Sequence, residues 1–382
     1  MLNILQVTTF FTEHGGVEKS VADLSHSLAD AHSVRVLCTT RGNTVRRVSG
    51  KVDVVAAGGA IAVNGRPFSP SFARELQQQT VDVVHYHLPC PMAVLSAPFV
   101  APRAKASVAT WHHDLVRHKL FNLVTHPLVD RFLDRVDSII VTAPALIDST
   151  PMLRRHRHKC EVIPLGIDDN RFSIIDHNSV LEIREKYGAP LVLYVGRLVY
   201  YKGCEVLIKA ISRIEGAKLV MVGAGPLLGD LTQLIRMRGL SDRVHLLGWQ
   251  PDDVLRNLFQ SCDLFVLPST LSTECFGLVQ VEAMLCGKPV VNTQLPTGVP
   301  WVSLHSETGI TVQPDDELDL TEAIGKLLGD DNLRRSMGEN ARRRARAMFT
   351  LDRQVHSTVE LYERVLARSG SRSRPTVPVA GR

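Results

Sequence analysis

Short runs of valine, isoleucine and leucine recur along this 382-residue chain, and a helical pattern follows nearly every one. No other feature limits the fold as much. A strand that is apolar at every position, not every second one, is buried on both faces. Strands of that kind joined by helices build parallel sheets with helices on both sides. The first half reads as strands at Leu2–Val7, Val34–Cys38, Val52–Ala56, Val81–Tyr86, Ala106–Trp111, Ser138–Thr142 and Glu161–Pro164. The second half repeats the grammar at Leu191–Val195, Lys218–Val222, Val244–Leu247, Leu264–Leu267 and Pro289–Asn292, with helices such as Gly203–Ile214 and Asp252–Gln260 between them. The fold class expected is α/β: two doubly wound, Rossmann-like parallel-sheet domains in series. The polar segment Asp168–Gly188 should hold the boundary. The domains are then 1–170 and 171–350, followed by a helix over 351–368 and a tail over 369–382. That tail is rich in Ser, Arg, Pro and Gly and reads as disordered.

Composition removes several function classes. An apolar content of 45% with 22% charged residues is globular. A net charge of +5 is too modest to argue for nucleic acid, so no nucleic-acid partner is expected. The seven cysteines are scattered, odd in number and without a C-x-x-C pair, which argues against disulfides or a zinc site and for a reducing, cytoplasmic setting. The start, Met1–Thr8, lacks a basic segment and a cleavage site and reads as a buried first strand. No run approaches the ~18 apolar residues of a membrane span. No Asp-x-Asp pair is present to hold a metal–diphosphate complex, so neither metal nor cofactor is expected.

Ligands of doubly wound sheets bind beyond the carboxyl ends of the strands, and the unusual residues of this chain fall in those loops. Gly15-Gly16 follow the first strand and open a helix, where amides can approach a phosphate, although such a pair also serves as a plain tight turn. Trp111-His112-His113-Asp114 closes another strand; two histidines and an acid there suit a substrate contact, or polar surface. In the second half Gly196-Arg197 and Lys202-Gly203 follow the first strand. Arginine offers a fixed fork and lysine a compact charge, a pair suited to a diphosphate; solvated cations are the plainer reading. Gly223-Ala224-Gly225-Pro226 resembles a phosphate loop without its third glycine, and helix packing explains it equally well.

The densest segment runs from Ser272 through Glu274, Phe276, Gly277 and Leu278 to Glu282, with Cys286-Gly287-Lys288-Pro289 after it. One acid stands just before a helix and another inside it. Two such acids can hold the ends of one elongated polar ligand, with an anion between them on the helix's first amides. A nucleotide diphosphate joined to a sugar has that shape. The bland alternative is an acid beside the helix dipole and a solvated one further on.

These motifs, in order and on the expected loops, resemble the retaining glycosyltransferases of GT-B architecture, family 4 or "group 1". The matching residues are Gly15-Gly16-Val17-Glu18, Gly196-Arg197-Leu198, Lys202-Gly203, Gly223-Ala224-Gly225-Pro226 and Glu274 with Glu282, followed by Ala283, Gly287 and Pro289-Val290-Val291. A nearer resemblance, to mannosyl- and rhamnosyltransferases of bacterial O-antigen and surface polysaccharide, rests on Trp111–Asp114, Tyr194–Gly203 and Leu295–Trp301. It implies two domains facing across a cleft, the first on the acceptor side, with the last helix packing back toward it. It also implies a nucleotide-sugar donor, favoured as a GDP-sugar, and a growing, lipid-linked glycan acceptor. The catalytic set is then Glu274, Arg197, Lys202 and His112. Gly16, Gly196, Gly225, Phe276, Gly277, Leu278 and Glu282 bind the donor, and His113 and Asp114 contact sugar or acceptor. A UDP-sugar donor, an epimerase of the same architecture and a non-enzymatic sugar-nucleotide binder remain alternatives. A dinucleotide oxidoreductase is disfavoured, because no G-x-G-x-x-G follows the first strand. The basic stretch Leu115–Val124, continuing to Val136, and the arginine-rich helices after Asp330 offer a peripheral contact with an anionic membrane, or else ordinary amphipathic packing.

Overall fold

A computed structural model describes residues 1–12, 15–59, 61–63, 66–112 and 119–372. The described residues form two units, Met1–Leu165 with the helix from Leu351 to Arg372, and Gly166–Thr350. The boundary expected at 170/171 therefore lies at 165/166. Ile167 is bound to the second unit by its amide, which donates to the Phe349 carbonyl at 2.9 Å, and by a bridge to Thr350. The polar segment Asp168–Gly188, expected to hold the boundary, belongs to the second unit, with a 3-10 turn at Asp169–Phe172 and a helix at His177–Tyr187 that Asp176 caps.

The first unit contains β1 (Asn3–Val7), β2 (Ser33–Thr39), β3 (Val45–Ser49), β4 (Val52–Ala57), a separate hairpin of β5 (Ile61–Val63) and β6 (Arg66–Phe68), then β7 (Thr80–Leu88), β8 (Arg103–Trp111), β9 (Ser138–Val141) and β10 (Cys160–Val162). Its sheet runs β10-β9-β8-β7-β1-β2-β4-β3. All of its pairs are parallel except β3–β4. The reading of a wholly parallel sheet is corrected at that edge. Val45–Ser49 is largely exposed and carries two arginines, so it has no apolar run to announce it. The helix Leu351–Arg372 belongs to this unit, and its Leu361, Tyr362 and Val365 lie inside the unit's core. It extends past 368, so residues 369–372 are helical and not part of a disordered tail; 373–382 lie outside the described residues.

The second unit contains β11 (Leu191–Val195), β12 (Lys218–Val222), β13 (Val244–Leu246), β14 (Leu264–Leu267), β15 (Val290–Thr293) and β16 (Gly309–Val312). The sheet order is β13-β12-β11-β14-β15-β16 and every pair is parallel. Numbered within the unit this is 3-2-1-4-5-6, the doubly wound order. The order reverses between β11 and β14, so the crevice for a ligand opens at the ends of those two strands. The sequence reading omits β16. It is short and opens on Gly309, where a Cβ would lie 1.8 Å from the Val290 carbonyl oxygen, so the position is spent on backbone approach and not on an apolar side chain.

Candidate active site

The expected cation and acid of the second unit meet at that switch point. Lys202 lies in the turn after β11 and Glu274 in the turn after β14, and the ammonium is salt-bridged to Glu274 Oε2. Both side chains are close to nine-tenths buried, at 12% and 11% exposure, so water screens the pair poorly. Burial works against the lysine's charge. The Glu274 carboxylate, by charge and by hydrogen bond, outweighs it and holds the ammonium above lysine's ordinary range. Ser269 donates a second hydrogen bond to Glu274 Oε2, at 3.1 Å. No motif singles out Ser269, yet it stands just past the apolar strand Leu264–Leu267, at the ligand side of the sheet.

The backbone around this pair is built on glycines that admit no side chain. Gly203 has φ +66°, and a Cβ there would lie 1.9 Å from the Pro268 carbonyl oxygen. Gly203 therefore caps the helix Cys204–Ser212 from outside, and the helix begins one residue later than the sequence suggested. A Cβ on Gly225 would meet the Leu198 carbonyl oxygen at 2.2 Å. Gly225 thus packs one ligand-side loop against the other, which favours the packing reading of Gly223–Pro226 in this structure. A Cβ on Gly196 would stand 3.7 Å from Lys202 Nζ. Arg197 is exposed, and its carbonyl accepts the Tyr194 hydroxyl at 3.1 Å.

Gly277, at φ +69°, precedes the helix Leu278–Leu285, whose first amides have no partner within the helix. Buried amides lock this turn. Gln280 Nε2 donates to the Phe276 carbonyl at 2.7 Å and Asn292 Nδ2 to the Val299 carbonyl at 2.9 Å, while Gly298 N donates to the Cys275 carbonyl at 2.7 Å. Phe276 is buried edge-on to Phe349. Glu282 stands half-buried on the same helix, one turn beyond Leu278. Glu274, Phe276, Gly277, Leu278 and Glu282 thus share one rigid turn and helix.

The first unit holds the other predicted residues. Gly16 begins the helix Gly16–Leu28 and has open space where a Cβ would stand, as an approach to its backbone requires. His112 follows β8 and is buried, at 5% exposure. His113 and Asp114 lie outside the described residues. Behind His112 is a polar chain that no sequence motif announces. His112 Nε2 lies 3.0 Å from His87 Nδ1, and His87 Nε2 lies 2.7 Å from Gln6 Oε1. Gln6 Nε2 donates to the Tyr362 hydroxyl at 3.3 Å; that oxygen lies 2.6 Å from His85 Nδ1, and His85 Nε2 lies 2.6 Å from Thr110 Oγ1. Burial pushes His85 down to about 3 and His87 well below histidine's ordinary range, so both are neutral. The available signal was polar: His85 and His87 alternate in a strand that is otherwise apolar from Val83 to Leu88, and Gln6 interrupts another.

The membrane reading is narrowed. In the helix Lys119–Arg135 and just after it, Val129, Phe132, Leu133 and Val136 are buried in the protein and cannot face a lipid surface. Residues 115–118 lie outside the described residues. Among the described residues no helix is long and apolar enough to cross a membrane. No group of three or more His, Cys, Asp or Glu among them is placed to hold a metal ion.

Solved structures resemble the whole chain. Sucrose-phosphate synthase from Thermosynechococcus elongatus superposes with a TM-score of 0.80 at 22% identity, covering 96% of this chain and 100% of that one. HepE of Anabaena, solved with UDP and glucose, gives 0.77 at 22% identity over 95% and 100%. The fold is GT-B, a glycosyltransferase architecture. The family described as "Glycosyltransferase Family 4" matches residues 14–171, and "Glycosyl transferases group 1" matches 179–344. The chain is 32% identical to the O-antigen chain mannosyltransferase C of Escherichia coli, over 78% of its own length and 80% of the relative's. It is 34% identical to the D-rhamnosyltransferase WbpZ of Pseudomonas aeruginosa, over 72% of each. This protein belongs to the group 1, family 4 glycosyltransferases.

Proposed function

We propose that the protein is a retaining hexosyltransferase that moves mannose or a deoxymannose from a GDP-sugar to a growing, lipid-linked glycan of O-antigen or a related surface polysaccharide. The observation that carries the chemistry is the buried Lys202–Glu274 pair at the strand-order reversal of a doubly wound sheet. The named activities of the mannosyl- and rhamnosyltransferase relatives support the sugar class.

The charge that develops as a sugar leaves its nucleotide sits on the diphosphate. Lys202 and Arg197 neutralise it in place of a metal ion. Before donor arrives, Glu274 holds Lys202 charged and in position. Donor binding inserts a second anion, and Glu274 then accepts hydrogen bonds from sugar hydroxyls while Lys202 turns to the diphosphate. Glu282 accepts from the ribose hydroxyls. The amides of Phe276, Gly277 and Leu278 face sugar or phosphate, with Gly196 and Gly225 leaving room beside them. Gly16 offers amides to the diphosphate, and His112, with His113 and Asp114, meets the sugar. In the transfer step the bond from the anomeric carbon to the diphosphate oxygen breaks, and the acceptor oxygen bonds to that carbon on the same face. The departing phosphate takes the acceptor's proton. The protein works in the cytoplasm, at the membrane face that presents the lipid-linked acceptor, and the segment Leu115–Val124 makes the peripheral contact.

A thermal-shift screen of GDP-, UDP-, ADP- and dTDP-sugars tests the donor. A shift of several degrees with GDP-mannose and little with the others is the expected result; preference for a UDP-sugar overturns the GDP assignment. Release of GDP only when donor and acceptor are both present tests transfer, and donor conversion without acceptor indicates an epimerase instead. Flotation with anionic liposomes tests the membrane contact.

A further inference from the structure

Two buried side-chain amides lie behind the turn that carries Glu274. Gln280 stands on the helix Leu278–Leu285 and Asn292 on β15, and both are enclosed. Backbone groups fix which way each amide faces. Gln280 Nε2 donates to two carbonyls, those of Phe276 at 2.7 Å and Val299 at 3.3 Å. Asn292 Nδ2 donates to the carbonyls of Val299 at 2.9 Å and Ser303 at 3.2 Å, and to Gln280 Oε1 at 3.2 Å. A carbonyl oxygen only accepts, so turning either amide over would set oxygen against oxygen. Thr311 completes the set by donating its hydroxyl to Asn292 Oδ1 at 2.8 Å. This direction reaches the backbone of the turn. In a trans peptide the C=O and N–H point opposite ways, so drawing the Phe276 carbonyl to Gln280 turns the Gly277 N–H away from it. Among the described residues, no group accepts from that N–H. Glycine admits both orientations of such a peptide, so its own sterics do not choose one. The Gln280 amide does, and its nitrogen lies close enough to stand 3.1 Å from a Cβ built on Gly277.

We propose that Gln280, braced by Asn292 and Thr311, is a positioning residue that aims the Gly277 N–H at the diphosphate of the donor. Gln280 acts through the Phe276–Gly277 peptide and touches no substrate itself. The inference rests on the reading that the amides of this turn face the donor. An N–H at a helix start favours an anion over a neutral hydroxyl. Its bond strengthens as negative charge collects on the departing phosphate, so a misdirected N–H costs turnover more than donor affinity. Lys202 supplies charge at the switch point, and Gln280 supplies direction.

The test combines steady-state kinetics with NMR of the full chain carrying nitrogen-15 in its glycines, with GDP-mannose as the probe in both. Gln280→Met keeps the bulk and removes the hydrogen bond. It is expected to lower kcat about tenfold with the donor KM changed by roughly threefold or less. Gln280→Glu adds a pH profile. A protonated carboxyl donates to the Phe276 carbonyl as the amide does, an ionised one does not, and burial favours the protonated form. Its kcat relative to wild type should therefore be highest near about pH 6 and fall toward that of Gln280→Met near about pH 9. In the spectrum, GDP-mannose should shift the Gly277 amide of the wild type, identified by its loss in Gly277→Ala. In Gln280→Met that shift should vanish while Gly203, beside Lys202, still responds. If Gln280→Met fails to fold, Thr311→Val, which loosens Asn292, takes its place, with a weakened Gly277 shift expected. A Gly277 amide that responds equally in wild type and the folded variant, or a Gln280→Met enzyme with normal kcat, overturns the inference. A wild-type spectrum in which no glycine responds to GDP-mannose overturns instead the reading of the donor.

Discussion

The two units solve the same problem in opposite ways. Each holds polar residues in a buried place at the carboxyl ends of parallel strands. The second unit does so with charge: Lys202 and Glu274 face each other with little water between them. The first does so without charge: His85, His87, Gln6, Thr110 and Tyr362 satisfy one another as neutral groups. A neutral network carries no net charge and fixes the direction of its side chains through hydrogen bonds. A buried ion pair has a strong local field and can exchange one anion for another. The difference suits the tasks proposed for them, meeting the sugar in the first unit and taking up a diphosphate in the second.

The largest effect should come from breaking the ion pair. Lys202→Ala is expected to lower kcat by about a thousandfold. It should also cost on the order of 3 kcal/mol in denaturant unfolding, because it strands a nearly buried carboxylate. The double variant Lys202→Met/Glu274→Gln removes both charges and should regain most of that stability while staying inactive. If Lys202→Ala turns over normally, the contrast between the units has no catalytic meaning.

The neutral network should fail in acid. His85 titrates near 3 in the fold and near 6.5 in the unfolded chain, so below pH 6.5 only the unfolded state takes up its proton. Stability is then expected to fall as pH drops from 6.5 toward 3, by roughly 3 kcal/mol at pH 4 from His85 alone. Denaturant titrations across that range should show this acid limb, and His85→Gln should flatten it. A comparable effect is expected on activity when His112 is removed: His112→Ala should lose about a hundredfold in kcat with a melting temperature within a few degrees of wild type.

Gly277→Ala sharpens the comparison from the backbone side. It places a Cβ at φ +69° and 2.4 Å from Leu267 Cδ2, so a loss of about 2 kcal/mol in stability is expected. The turn carrying Glu274 shifts with it, so kcat should fall more than stability alone explains. The smallest effect is alkaline. Lys202 has a raised value in the fold, so the pair's contribution is complete below lysine's ordinary 10.5 and is lost as pH rises through the higher folded value. Unfolding between pH 9 and 12 should show the loss in wild type and not in the double variant.

The sequence made the architecture legible because burial on both faces leaves a local mark. Strands such as Leu191–Val195 and Lys218–Val222 are apolar at nearly every position, and the structure returns them with the same bounds. Elements that failed this test escaped notice: the exposed, arginine-bearing β3 and the glycine-led β16. Loop chemistry was legible for the same reason, since glycines and charges stand out against apolar strands. Their partners were not. Arg197 and Lys202 read as twin cations, yet one is exposed and the other is buried against Glu274.

The chain's own order of residues determined that there would be two parallel sheets, where their ligand-side loops would fall, and which family the loops belong to. Tertiary structure alone decided which of those residues meet. Lys202 finds Glu274 because β11 and β14 are neighbours in the sheet though not in sequence. Tyr362 finds His85, 277 positions away, because the last helix returns to the first unit's core. Hydrophobic periodicity is a property of a few consecutive residues, whereas the partner of a buried proton or charge depends on strand order and register across the whole sheet.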